Sequence, residues 1–397
     1  PGLQDLCVSR TTVKWGVPLP FDPKHYAYVW IDALSNYITA LGYLSDDDAL
    51  YRKYWNADLH MVGKEIVRFH AIIWPAILMA LGEKVPKQVY GHGWLLIGGD
   101  KLSKSKQDAA IAQLTDPYEL VKRYGADAVR YFLLREIPFG SDGEYTNEKL
   151  LLRINADLAN DLGNLVSRTS AMIVQNFDGK LPARGKIEGT DGELINMANG
   201  AFETVKTAME RLNAPDALAA IFAVVARANK YIDETMPWVL AKDPQKRARL
   251  GAVLYNLAET TRICAVLLKP FLTKIPALIL ESFSCGADTG FDTLAFGYLK
   301  EGTPVKKLPP IFPRIDVKKE LVEVAALMQK SKPKKEEKKE SAAEGGQITI
   351  DEFFKTQLRV GEVIACERVK GSQKLLHETV KIGEEVRSIV SGIANYY

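Results

Sequence analysis

Three lysines and two hydroxyls fall within six residues at Lys101-Leu102-Ser103-Lys104-Ser105-Lys106, directly after Gly98-Gly99-Asp100. A glycine-hinged loop of that composition suits a mobile clamp on a polyphosphate, because ammonium groups neutralise the charge that builds on a leaving pyrophosphate. Taken alone, the string equally reads as a solvated basic loop. A second string, Gly63 to Pro75, places Ile66, His70 and Trp74 at i, i+4 and i+8, along one face of a helix. An aliphatic chain, an imidazole and an indole on one face could line a pocket for a soft apolar side chain such as a thioether, whose sulfur contacts aromatic edges favourably. By itself this is also the pattern of a core helix with a satisfied histidine. A third string, Tyr28-Val29-Trp30-Ile31-Asp32-Ala33-Leu34-Ser35-Asn36-Tyr37, is weak in isolation.

These strings need elements to hold them. YAYVWI (Tyr26–Ile31) and KQVYGHGWLLIG (Lys87–Gly98) are dense in aromatic and branched residues and predict strands. Between them IVRFHAIIWPAILMALG predicts a helix stopping at Gly82. Strands alternating with helix favour an α/β sheet. From Thr146 to Lys274 apolar residues recur at helical spacing, as in Leu158, Leu162, Leu165 and Val166, which with short polar loops predicts a helical bundle. The segment 275–315 adds helix and a proline-rich exit at Pro309, Pro310 and Pro313. The lysine/glutamate tract KSKPKKEEKKESAAEGG at 330–346 cannot bury enough surface to offset its ordering entropy and predicts a solvated linker. Strand alternation resumes after it. The division expected is 1–145, 146–315, a charged linker 316–346, and a small β domain 347–397.

At 397 residues, two to four units are expected. The formal net charge of +3 announces no polyanion partner, so any basic surface must be local. Cys7, Cys264, Cys285 and Cys366 lie far apart without a CxxC pair, which argues against a disulfide framework or a zinc site and fits a reducing cytoplasm. The apolar stretches are too short or too interrupted to cross a bilayer, and the start has no signal-peptide core.

In order and spacing the three strings together resemble the methionyl-tRNA synthetase family of class I aminoacyl-tRNA synthetases. KLSKS looks like the class signature, with leucine where methionine is commoner, and Ser9–Pro20 is similar to the family's entry to this region. The resemblance implies the second half of a Rossmann-type α/β catalytic domain, an all-α anticodon-binding bundle and a partial β OB-fold. It implies Lys104, helped by Lys101, as the group that stabilises adenylate formation. ATP, entering with Mg2+, would be bound by Gly63, Glu65, His92, Leu95, Lys101, Ser103 and Lys104; glutamate at 65 replaces the commoner aspartate. Methionine would be lined by Val29, Trp30, Ala33, Leu34, Tyr37, Ile66, Phe69, His70 and Trp74, with the Tyr37 hydroxyl meeting the substrate sulfur. Leu34 stands where some members carry proline.

Further along, Asn164-Leu165-Val166-Ser167-Arg168 and Met236-Pro237-Trp238 resemble the family's anticodon-reading positions, which makes Asn164, Arg168, Pro237 and Trp238 candidates. Asparagine and arginine can bond base edges, and tryptophan can stack an unpaired base. Without the resemblance, Trp238 reads as a plug in the bundle. Asp351-Glu352-Phe353, Leu358-Arg359-Val360-Gly361 and Ile389-Val390-Ser391-Gly392-Ile393 are similar to the start of the family's appended OB-fold module, of which two or three strands fit in the remaining length. A complete module of this kind can dimerise.

The family mechanism uses a second signature, His-x-Gly-His, and none of His25, His60, His70, His92 or His377 forms it. The family's cysteine-bearing zinc insertion is absent too. Both point to a chain that begins after that insertion, in keeping with a start on Pro1, and to little or no ligase activity from this polypeptide alone. For the complete enzyme the implied reaction is attack of the methionine carboxylate on the α-phosphate of ATP, then acyl transfer to tRNA(Met). Two other readings stay open: a class I synthetase for leucine, isoleucine or valine, and a non-catalytic tRNA-binding protein.

Overall fold

The computed structural model describes residues 5–13, 15–97, 100–101, 116–286, 288–331 and 360–394; of residues 100–101 and 327–331 it describes the backbone alone. Two compact units result, Pro1–Pro333 and Lys334–Tyr397.

The first unit opens with a small antiparallel sheet of β1 (Ser9–Arg10), β2 (Pro18–Leu19) and β3 (Asp22–Ala27), in the order β1-β3-β2. Helix α1 (Val29–Thr39) follows at once. The strand expected over 26–31 therefore ends at Ala27, and Val29, Trp30 and Ile31 are helical. Branched and aromatic residues suit either state locally; Leu34 and Ile38, one turn apart, bury against Trp74 and Leu78 and decide for helix. After α2 (Ala49–Tyr54), β4 (His60–Gly63) and β5 (Val89–His92) pair in parallel, register His60 with Val89 and Gly63 with His92. The crossover between them carries a 3-10 turn (Lys64–Ile66), a π-helical turn (Phe69–Ile73) and α3 (Trp74–Leu81). Gly82 ends α3 at φ 75°, the left-handed stop expected of it.

The β run expected over 87–98 is broken after His92. Strand β6 (Leu95–Ile97) belongs to a different sheet, antiparallel to β7 (Asp100–Lys101) and parallel to β8 (Gly143–Tyr145). The break sits at Gly93, where a Cβ would lie 1.8 Å from the Ser141 carbonyl oxygen. Only glycine permits that approach.

Helices α4 (Pro117–Tyr124) and α5 (Ala126–Glu136) precede β8, and the bundle follows. It consists of α6 (Asn147–Arg153), a ten-residue π-helical run (Ile154–Gly163), α7 (Asn164–Asn176), α8 (Asp191–Glu210), α9 (Ala214–Thr235), the short α10 (Pro237–Leu240), α11 (Arg247–Leu268) and α12 (Ile275–Ser282). Helix α11 is buried along nearly its whole length, with α8, α9 and α12 packed round it. Its buried Arg262 donates to Glu259 at 2.7 Å and to the Thr293 and Ala295 carbonyls, while Glu259 accepts from the Leu299 amide. That pair fixes the loop 293–299 to the core helix.

Asp127 of α5 ties that helix to the bundle. Its carboxylate accepts from the Thr273, Lys274 and Ile275 amides at 2.7–2.9 Å and from the Thr273 hydroxyl, capping α12. Residues Val317–Ser331, within the span expected as charged linker, form helix α13, whose Glu320 accepts from Arg123 and Tyr124. Propensity favours a helix in VKKELVEVAALMQKS, and the Glu320 contacts dock it. Residues 332–359, holding most of the lysine/glutamate tract and Asp351-Glu352-Phe353, lie outside the described residues.

The second unit shows three antiparallel strands, β9 (Glu362–Arg368), β10 (Leu376–Ile382) and β11 (Glu385–Ser391), with β10 in the middle. That matches the two or three strands expected. Among the described residues no helix is long and apolar enough to cross a membrane.

Candidate active site and nucleic-acid interface

Helix α1 and the π-turn that leads into α3 bring one aromatic cluster together. Val29, Ala33 and Tyr37 lie one turn apart along the outer face of α1 and stay exposed, while Leu34 and Ile38 are buried in the small core. Leu34 and Trp74, expected to line a methionine pocket, are 1% and 0% exposed and belong to the small core beneath this cluster. Trp30 stacks flat on Phe69 with ring centroids 3.8 Å apart. The Tyr37 ring lies 5.6 Å from His70 and 6.1 Å from Trp74.

His70 is held at both nitrogens. Its Nδ1 lies 2.9 Å from the Ile66 carbonyl oxygen, which can only accept, so Nδ1 carries the proton. The neutral ring then accepts at Nε2, and the Tyr37 hydroxyl donates to it at 2.9 Å. Burial raises the Tyr37 pKa, which keeps the phenol protonated. The turn over Phe69–Ile73 is π-helical, a local irregularity that regular helical spacing does not foresee, and His70 within it is buried.

Sequence reasoning missed His60, at the start of β4. Its ring packs 4.4 Å from Tyr37 and 5.9 Å from His70. Its Nε2 and the Trp74 Nε1 are buried without a hydrogen-bond partner among the described residues. Burial, and then the neighbouring His70, lowers the His60 pKa, so the ring is neutral near pH 7. The available signal was a histidine three residues before Gly63.

The residues implied for ATP cluster less completely. The Glu65 carboxylate folds back over Gly63, where a Cβ would lie 2.5 Å from its Oε2, and accepts from the Trp94 indole at 2.9 Å. His92 donates from Nδ1 to the Gly93 carbonyl at 2.8 Å. Leu95 is half-buried and packs on the large core. Lys101 is described in its backbone only, in β7, and Ser103 and Lys104 lie outside the described residues. Among the described residues no group of three or more His, Cys, Asp or Glu side chains could hold a metal ion.

In the bundle the structure brings the other candidates together. Asn164 is exposed and Arg168, one turn further along α7, is half-buried, with its guanidinium 5.6 Å over the Trp238 ring. Arg168 also pairs with Asp233 at 3.3 Å. Met236, at φ 43°, turns the chain and Pro237 opens α10, which leaves Trp238 44% exposed. Trp238 is therefore an outward ring rather than a plug.

Residues 1–170 match the family of class I tRNA synthetases (M), residues 181–322 the anticodon binding domain of methionyl tRNA ligase, and residues 358–397 a putative tRNA binding domain. The whole chain is 56% identical to the methionine–tRNA ligase of Caldanaerobacter subterraneus subsp. tengcongensis and 50% identical to that of Bacillus subtilis.

The chain belongs to the methionyl-tRNA synthetase family.

It spans 61% and 60% of the length of those two relatives. Among solved structures it is similar to the Mycobacterium tuberculosis methionyl-tRNA synthetase in complex with methionyl-adenylate, at 41% identity and a TM-score of 0.74, over 79% of this chain and 61% of that one. The apo form of the same synthetase gives a TM-score of 0.70 at 39% identity. The fold is thus that of a class I synthetase catalytic domain, followed by the family's helical anticodon-binding domain and the strands of its tRNA-binding domain.

Proposed function

We propose that this chain serves the ligation of methionine to tRNA(Met), through ATP-dependent formation of methionyl-adenylate and transfer of the acyl group. The carrying observation is the Tyr37–His70 hydrogen bond set among the rings of Trp30, Phe69 and Trp74. A flexible thioether fits such a lining, since sulfur gains from aromatic edges and the site offers it few charges. Branched valine or isoleucine side chains gain less there, which weighs against another class I specificity. The phosphate-clamp string weighs against a pure tRNA-binding role.

In this reading Val29, Ala33, Tyr37, Ile66 and His70 surround the methionine side chain above Leu34 and Trp74. Gly63, Glu65 and His92 meet the adenosine of ATP, and Lys101, Ser103 and Lys104 its phosphates, with Mg2+ entering as part of the nucleotide. There is little covalent work for side chains here, so positioning and charge stabilisation carry the rate. Asn164, Arg168, Pro237 and Trp238 read the anticodon, and the β9–β11 strands add a second, less specific tRNA contact. The working division is a catalytic part to residue 145, an anticodon-binding part to 315, a connection to 346 and the tRNA-binding part from 347. Function in the cytoplasm, and dimerisation through a complete OB-fold module, belong to the same reading.

Equilibrium binding of methionine, norleucine, leucine, isoleucine and valine to the 397-residue chain tests the specificity. Methionine is expected to bind tightest, and equal affinity for leucine or isoleucine overturns the reading. No His-x-Gly-His string occurs in this sequence, so ATP–pyrophosphate exchange by the chain alone is expected to be weak.

A further inference from the structure

A compact polar network stands beside the methionine pocket and is not needed to explain it. Lys64 donates to both Asp142 oxygens, at 2.6 and 2.8 Å. The Trp94 backbone amide donates to Asp142 Oδ1 at 2.8 Å, and the Lys64 ammonium lies 4.3 Å over the Trp94 ring. The Trp94 indole in turn donates to Glu65 Oε2 at 2.9 Å. Three separate segments meet here: the turn after β4, the entry to β6, and the loop before β8. Gly93 lets the second press against the third at Ser141.

We propose that Trp94 is a positioning residue for the nucleotide, its indole N–H aiming the Glu65 carboxylate at the ribose. The inference rests on reading Glu65 as the ribose ligand. A glutamate carries one more rotatable bond than an aspartate and loses more freedom when it is fixed. An indole donor, itself immobilised by the bond from its own amide to Asp142 and by the Lys64 ammonium, removes that freedom before the nucleotide arrives. The folding of the carboxylate over Gly63 completes the restraint, because any side chain at 63 would occupy the place of Oε2.

The test is equilibrium binding of ATP, 2′-deoxy-ATP and 3′-deoxy-ATP to the 397-residue chain, with methionine affinity and melting temperature measured alongside. Glu65→Gln is expected to erase the preference for the ribose form. Trp94→Phe keeps a ring beneath Lys64 and removes only the donor; it is expected to reduce that preference about fivefold, the worth of one hydrogen bond, and to leave methionine affinity unchanged. Asp142→Asn should act in the same direction. If Glu65→Gln leaves the preference intact, the ribose reading fails and the positioning role with it. If Glu65→Gln erases the preference and Trp94→Phe does not, the positioning role alone fails. Equal losses of ATP affinity, methionine affinity and stability in Trp94→Phe would mark the residue as structural and overturn the proposal.

Discussion

The Tyr37 hydroxyl donates to His70 Nε2 at 2.9 Å, because the other nitrogen of that imidazole is committed to the Ile66 carbonyl. The phenol proton is thereby spent within the protein. A thioether sulfur reaching Tyr37 can receive that proton only by drawing it away from His70.

Tyr37→Phe separates the two cases. Because the proton stays on His70 and the sulfur gains no net hydrogen bond, the substitution is expected to weaken methionine and norleucine binding alike, by less than about fivefold. Isothermal titration with both amino acids checks this. A loss confined to methionine would show that the hydroxyl gives up His70 for the sulfur.

At the bundle, Trp238→Ala is expected to weaken binding of an anticodon stem-loop by ~1–3 kcal/mol, the usual loss of one base-stacking ring. Asp233→Asn removes the partner that holds Arg168 at 3.3 Å and is expected to strengthen binding to unrelated RNA loops, an effect that added salt suppresses. Filter binding with cognate and non-cognate loops over a salt series distinguishes the two variants.

Asp127 carries a pH signature. Burial alone would raise its pKa, but the Ile275, Thr273 and Lys274 amides and the Thr273 hydroxyl overcome burial and lower it. A depressed folded-state value means that the stabilisation is complete above the unfolded value of about 3.9 and is lost as pH falls through the folded one. Asp127→Asn is expected to cost roughly 1–3 kcal/mol at pH 7, from imperfectly satisfied buried donors. Urea unfolding of both proteins should show the gap narrowing below about pH 4.

Inside α11, Glu259→Gln leaves the buried Arg262 guanidinium without its counter-charge. A loss of about 3–5 kcal/mol is expected, as for other broken buried pairs. Replacing both residues by apolar ones of similar volume should cost far less, which thermal unfolding of the two variants would show.

Much of this molecule was legible beforehand. The order of the pocket strings, the helix stop at Gly82, the run of bundle helices and the small terminal sheet all follow from residue types and spacing, which act over a few neighbours along the chain. Family resemblance likewise pointed to Asn164, Arg168 and Trp238, and the fold sets the Arg168 guanidinium 5.6 Å over the Trp238 ring.

What spacing could not supply is anything decided across the fold. The sequence by itself determined which chemistries are present: an imidazole, a phenol and indoles near one another, a lysine-rich phosphate string, and an asparagine–arginine pair with a later tryptophan. Tertiary structure decided that Val29–Ile31 begin a helix, since Leu34 and Ile38 bury against α3. It also decided that Leu34 and Trp74 are buried in the small core and that His60, from another element, stands beside Tyr37. The Trp94–Glu65 bond spans 29 residues, and the Asp142–Lys64 pair spans 78. Contacts that distant depend on how strands and loops dock, and docking is set by the sum of many buried surfaces rather than by any local string.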